Sequence, residues 1–203
     1  MHDMPFPSLA HFCDRPAELV APDLLGATLL VEGVGGIVVE TEAYAPDDPA
    51  SHSFRGPTAR NAAMFGPPAR AYVYRSYGIH WCFNVVCAPG SAVLVRALQP
   101  GAGVELMMAR RGTRVPHALA SGPGKLCQAL AIDLAHDGLP LDGLSPEGQS
   151  SGAGPITLRP APARPDIVVG PRIGITRATD RPWRFGIRGS AHLSRPFPRL
   201  PQP

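Results

Sequence analysis

Two pairs of β-branched runs in this chain are joined by connections of only a few residues. Thr28 to Val31 and Gly36 to Tyr44 are separated by Glu32-Gly-Val-Gly35, and Ile79 to Val86 is followed almost at once by Ala92 to Leu98 across Cys87-Ala-Pro-Gly90. A parallel crossover needs a dozen residues or more, so strands this close in sequence pair antiparallel. Ala71 to Tyr74 adds a strand ahead of the second pair, and Pro171 to Thr176 and Trp183 to Arg188 read as two more. Helical signals interrupt them at Pro16 to Gly26 (short or broken at Pro22), at Thr58 to Met64 behind a capping Thr58, at Gly103 to Arg111 and at Lys125 to Ile132. The expected fold is α+β: a single compact domain over residues 1–203, with a mainly antiparallel, curved sheet flanked by helices.

Composition enters where the pattern fades. The chain holds 25 Pro and 22 Gly in 203 residues, so parts of it must be loops. Residues 138–165 are rich in Gly, Pro and Ser and read as a long mobile loop, and residues 195–203 as a C-terminal tail. A hydrophobic share of 44% still supports a globular core. The N-terminus lacks a basic segment followed by an apolar one, and no apolar run approaches the length of a membrane span, which points to the cytoplasm and away from membranes. Cys13, Cys82, Cys87 and Cys127 form no C-x-x-C pair, so they are expected to be reduced core residues rather than disulfides or metal ligands, and no metal or other cofactor is expected.

The net charge of +3 suits an anionic partner without resembling a histone-like tail. Lys125 is the only lysine beside 18 arginines. Amine-based covalent catalysis therefore has almost no side chain to use, and phosphate contacts must come from arginine.

Val38-Val-Glu-Thr-Glu-Ala-Tyr44 starts as an apolar strand and then places Glu40, Glu42 and Tyr44 at alternate positions. In a strand these three share a face. A carboxylate at the end of a buried strand can deprotonate water if neighbours set its pKa and a cation holds its geometry. An edge strand with its polar face in solvent has the same pattern, and spacing alone does not choose between Glu40 and Glu42. Tyr72-Val-Tyr-Arg-Ser-Tyr-Gly78, followed by His80, Trp81 and Phe83, concentrates scarce aromatics beside arginine, as suits either nucleobase stacking or cross-strand packing. Arg96 follows Val93-Leu-Val on an expected central strand, where a buried arginine needs an anionic partner, and a strand glutamate is the obvious one. Ser121-Gly-Pro-Gly124 opens a helix and can present N–H groups to an anion, without the spacing of a nucleotide triphosphate loop.

Val39-Glu-Thr-Glu-Ala-Tyr44, Ala50-Ser-His-Ser53, Thr58-Ala-Arg-Asn61, Met64-Phe65, Tyr72-Val-Tyr-Arg-Ser-Tyr-Gly78, Cys82-Phe-Asn84, Leu94-Val-Arg-Ala-Leu98 and Ser121-Gly-Pro-Gly-Lys-Leu-Cys-Gln-Ala-Leu130 occur in that order. Together they resemble the alkyladenine (3-methyladenine) DNA glycosylase family, in its bacterial form, from about Phe12 to Ser194. The resemblance implies a monofunctional enzyme that flips alkylated or deaminated purines out of double-stranded DNA and hydrolyses the N-glycosidic bond. It assigns Glu42 as the base that deprotonates water and Arg96 as the arginine that holds that water, leaving Glu40 structural. Tyr44, His52 and Tyr74 match residues that enclose the flipped base, Asn84 the residue that rejects the exocyclic amine of guanine, and Tyr77 the side chain that fills the vacated stack. A monomer is expected. The competing expectation is a non-catalytic damaged-DNA-binding module, in which the tyrosines and arginines bind and Glu42 is incidental.

Overall fold

A computed structural model describes residues 8–143 and 154–198. The chain enters through two short helices, α1 (Leu9–Cys13) and α2 (Ala17–Asp23), and continues into β1 (Thr28–Val31) and β2 (Val34–Tyr44). Then come β3 (Ala71–Ser76), β4 (His80–Val86), β5 (Ala92–Ala102), α3 (Val104–Arg111), α4 (Pro123–Leu130), β6 (Ile156–Arg159), β7 (Ile167–Gly170) and β8 (Arg184–Ile187). The sheet runs β3-β4-β5-β2-β1-β6, and the β7–β8 hairpin joins it by pairing β8 with β2. Every strand pair among the described residues is antiparallel, as the short connections require.

The β1–β2 turn is tighter than expected. Only Glu32 and Gly33 lie outside the ladder, both at positive φ (49° and 79°), the geometry whose twist matches a hairpin. Beyond it Gly35 and Gly36 run so close to neighbouring strands that an added Cβ would meet the Leu29 carbonyl at 1.9 Å and the Gln99 carbonyl at 2.0 Å. Their small size is what lets β2 pass between β1 and β5. The long residues face the other way: Leu24, Leu25, Leu29, Leu98, Met107, Leu126 and Leu130 are buried in one apolar cluster under α2 and α4. Each such side chain contributes roughly 1.5–3 kcal/mol by leaving water. The four cysteines are free and buried, and burial pushes the Cys13 thiol up to about 12.

Four expectations need correction. The stretch 138–165 is not loop throughout, because β6 lies within it, pairing with β1 through a four-residue alternation that buries Ile156 and Leu158. Surrounding Gly and Pro hid so short a pattern. Nearby, Leu139 accepts from the Ala71 N–H, while Leu141 donates to Ala69 and accepts from Leu158, so this segment links the two outer strands, β3 and β6. Residues 144–153 of that stretch lie outside the described residues. The tail is tied down as far as Pro198, with Phe197 under the Arg184 guanidinium at 3.9 Å and against Gly170 and Gly186; residues 199–203 lie outside the description.

Pro171 to Thr176 is not a strand. The strand comes earlier, at β7, and Gly174 at φ 77° breaks the apolar alternation of Ile173 and Ile175, which serves the site instead. Thr58 caps no helix: its N–H and hydroxyl both donate to Asn61 Oδ1, at 2.6 and 2.9 Å, and a 3-10 turn, Ala62–Phe65, follows. No helix among the described residues is long and apolar enough to cross a membrane.

Candidate active site

The β2–β5 ladder slips where the acidic residues begin. Val38 pairs with Leu98, Glu40 with Ala97 and Thr41 with Val95, which leaves Val39 and Arg96 without cross-strand partners. A bulge reverses the in-out alternation beyond it. Val38 is in the apolar core, but past the slip it is Ala43 that joins the core and Thr41 that bonds the Ala21 carbonyl of α2 at 2.8 Å. Glu40, Glu42 and Tyr44 are thereby turned to the opposite face. On β5 the same slip keeps Val95 and Leu98 in the core and sends Leu94 and Arg96 into a cleft.

Neither Glu40 nor Glu42 has any exposed surface, so the solvent-facing edge strand is excluded; β2 is flanked here by β5 and β8. Arg96 donates from Nη1 to Glu42 Oε2 at 3.1 Å and from Nε to Glu40 Oε1 at 3.2 Å, so both glutamates partner it. Glu40 is consumed by structure: it also accepts from Arg184 Nε at 2.7 Å and from the hydroxyl and N–H of Ser194. Glu42 accepts from the Ile173 N–H at 2.7 Å on Oε1 and from the Tyr44 hydroxyl at 2.9 Å on Oε2.

Three of the four acceptor positions of the Glu42 carboxylate are therefore taken, and one on Oε1 is left. Burial pushes its pKa up, against the opposing pull of Arg96, the Ile173 N–H and Tyr44. For Arg96, burial disfavours the charge, yet Glu42 and Glu40 outweigh it and raise the pKa.

In front of these groups lies a cleft of about 730 Å3. All four tyrosines of the chain line it, with His52, Asn84 and Arg96. His52 and Tyr74 meet edge to face with centroids 4.5 Å apart, and Tyr72 lies 5.4 Å from Tyr74. The Tyr72 hydroxyl meets His52 Nδ1 at 2.8 Å, and burial with the nearby Arg60 charge lowers the His52 pKa, favouring the neutral imidazole. Burial also raises the pKa values of Tyr44, Tyr72 and Tyr74, so all three keep their protons. Asn84 is buried with its amide donating to the Tyr72 carbonyl at 2.9 Å. Asn61, through bonds to the His52 and Gly56 carbonyls, fixes the loop that carries His52.

Tyr77 stands apart from this enclosure. It is 85% exposed at the tip of the β3–β4 hairpin, at φ 50° beside Gly78 at φ 70°, a turn closed by the Ile79 N–H bonding to Ser76 at 2.9 Å. An aromatic held outward at a hairpin tip on the rim of a cleft has no packing role.

All seven residues singled out from the sequence thus converge on one place, Tyr77 at its rim and Glu42 directly behind its wall. Sequence reasoning missed Tyr72, Ile173, Arg172, Arg184 and Ser194. The last four contact strand β2 from more than 120 positions away, a proximity that no local pattern in the sequence marks, whereas Tyr72 was visible in the aromatic cluster. The Gly-rich turn at 121–124 opens α4 as expected, with Pro123 on the cleft wall.

The family model described as methylpurine-DNA glycosylase (MPG) matches residues 11–191, which takes in both bulged strands and every residue of the cleft. The chain belongs to the methylpurine-DNA glycosylase family. Among curated relatives, one from Rhodopseudomonas palustris (strain HaA2) is 59% identical over 94% of this chain and 92% of its own. Another, from Rhizobium meliloti (strain 1021), is 55% identical over 92% and 95% respectively; both carry the name "Putative 3-methyladenine DNA glycosylase". As a methylpurine-DNA glycosylase the chain is a DNA repair enzyme, a hydrolase of N-glycosidic bonds whose substrate is DNA. A cleft walled by aromatic rings, with a buried carboxylate behind them, is what such chemistry needs.

Proposed function

We propose that this glycosylase extrudes alkylated or deaminated purines from duplex DNA and that Glu42 deprotonates the water that replaces the base. The observation that carries this reading is the Glu42 carboxylate: buried, bound on three of its four acceptor positions, and open on the last. A glycosidic bond within the duplex is out of reach of any protein-held water, so the nucleotide must swing out at a few kcal/mol, least for damaged or mispaired bases. Tyr77 enters the vacated stack and offsets part of that cost.

The base then lies among Tyr44, His52 and Tyr74. Their electron-rich faces favour a cationic alkylpurine, which is also a good leaving group. Asn84, held by Tyr72, cannot retreat before an extra exocyclic amine, so normal guanine is refused. Arg96 and the Ile173 N–H orient the carboxylate toward the sugar carbon as its positive charge develops. Because Glu42 has no exposed surface, water reaches it only when a wall group shifts, and an incoming nucleotide supplies that push. The enzyme acts as a monomer, uses no amine nucleophile, and works where the genome is, in the cytoplasm and on the nucleoid.

A duplex panel carrying 3-methyladenine, 7-methylguanine, hypoxanthine or ethenoadenine tests the reading under single-turnover conditions. Release of free base with an uncut strand and no borohydride-trapped adduct is expected. Tight binding without release would mean a damage-binding module, and a trapped adduct would overturn the monofunctional mechanism.

A further inference from the structure

Arg172 and Asp48 form a buried ion pair that the mechanism above does not use. Both side chains are fully enclosed, and two parallel bonds join them, Arg172 Nη2 reaching Asp48 Oδ1 at 3.0 Å while Nη1 reaches Oδ2. Arg172 Nη1 also donates to the Ala43 carbonyl at 3.0 Å, between Glu42 and Tyr44 on β2, and Nη2 donates to Ala178 at 3.3 Å. The guanidinium stacks on the Tyr44 ring at 4.8 Å and on Trp183 at 5.4 Å. Asp48 in turn accepts from the Ala50 N–H at 3.0 Å, two residues before His52.

A buried ion pair is a poor source of stability, since the desolvation of two charges consumes most of their attraction. What this one does achieve is geometric. It ties together the end of β2, the 48–52 loop that delivers His52, and the 172–178 loop. The residue after Arg172 is Ile173, whose N–H bonds Glu42, and Ile173, Gly174 and Ile175 form one wall of the cleft.

We propose that the Asp48–Arg172 pair is a positioning device for hydrolysis: it clamps the 172–175 segment so that the Ile173 N–H meets Glu42 and leaves a single acceptor position for water. The inference rests on Glu42 being the base. Release of the clamp lets the segment drift, and a misplacement on the order of 1 Å costs up to about 100-fold in rate. It also removes a donor from the ionised carboxylate, which moves the acid limb of the rate profile to higher pH. The groups facing Glu42 are Arg96 from β5, Tyr44 from β2, Tyr74 from β3 and Cys82 from β4; of these only Tyr44 touches the pair, through the Arg172 guanidinium on its ring at 4.8 Å.

The test is the double variant Asp48→Leu/Arg172→Met, which removes one anion and one cation together and leaves no unpaired buried charge. Measured on a hypoxanthine or alkylpurine duplex at saturating enzyme, its single-turnover rate at neutral pH is expected to fall about 10- to 100-fold. Lesion-duplex Kd should be affected less than the rate, since the clamp reaches the base-enclosing Tyr44 and His52 but not Tyr74 or Tyr77, and the acid limb should shift upward. A folded double variant with the wild-type rate and an unmoved acid limb would overturn the proposal, as would equal losses in rate and binding with the limb unmoved.

Should the double variant not fold, Arg172→Lys, which keeps a cation but loses the fork, is read by the same criteria. Glu42→Gln measured alongside separates the two layers. Full excision by Glu42→Gln would sink the base assignment itself, whereas its loss together with wild-type behaviour of the double variant would sink only the clamp.

Discussion

Arg96 sits between Glu42 and Glu40 and bonds both, at 3.1 and 3.2 Å, from a β-bulge that removes its own cross-strand partner. With Arg184 on Glu40, two cations and two anions balance inside the protein. Arg96→Met leaves Glu42 buried without its cation, and the loss of one partner of a buried pair costs about 3–5 kcal/mol. Urea denaturation at neutral pH reads this directly. A variant as stable as the parent would mean that the network does not carry the charge balance assigned to it.

Tyr77 is 85% exposed, so Tyr77→Ala should leave the denaturation midpoint within about 0.5 kcal/mol of the parent. Its effect belongs to DNA. Lost stacking of about 1–3 kcal/mol should weaken lesion-duplex binding by about 10-fold or more, with reduced fluorescence from a 2-aminopurine placed beside the lesion as a sign of less flipping. Unchanged affinity would remove the wedge role.

Because burial holds the Glu42 carboxyl above the usual carboxylate range, the base becomes competent only as pH rises through that raised value. The acid limb of single-turnover excision should therefore lie above the range of an exposed glutamate. Stability moves in the opposite direction: a carboxyl with a raised folded pKa contributes stability that is fully present below its unfolded value and lost as pH rises through its folded one. The stability of the wild type relative to Glu42→Gln should decline as pH rises from the unfolded carboxyl value of about 4.3 through the raised folded one. A pH-independent difference would show that burial does not raise the Glu42 pKa in the folded protein.

Asn84 donates its side-chain amide to the Tyr72 carbonyl, and the proposed rejection of guanine rests on that anchoring. Asn84→Ala should raise release of 7-methylguanine relative to hypoxanthine by about 10-fold, the scale set by removing a small steric block from a pocket. An unchanged ratio in the duplex panel would place discrimination elsewhere.

Much of this site could be read from the chain because its residues cluster in sequence. Glu40, Glu42 and Tyr44 announce a shared face by alternation, and the tyrosines of β3 announce an aromatic wall. What alternation did not reveal is why that face is the cleft, because the answer lies in a one-residue slip at Val39 that no periodicity marks. Nor did it reveal Ile173, whose contribution is a main-chain N–H that any residue type could supply, in a stretch whose apolar alternation imitates a strand. The choice of Glu42 over Glu40 became physical only with the partners in view. Arg184 and Ser194 saturate Glu40 from the far end of the chain, while Glu42 keeps one position free.

The central claim is that Glu42 deprotonates the attacking water while the surrounding cleft alone holds the extruded base. Single-turnover excision from an alkylpurine or hypoxanthine duplex by Glu42→Gln, with lesion-duplex Kd measured on the same preparation, tests it most directly. The account predicts a loss of about 100-fold or more in base release, within the range of a missing general base, and a Kd within about threefold of the parent. Base release at the parental rate would contradict it.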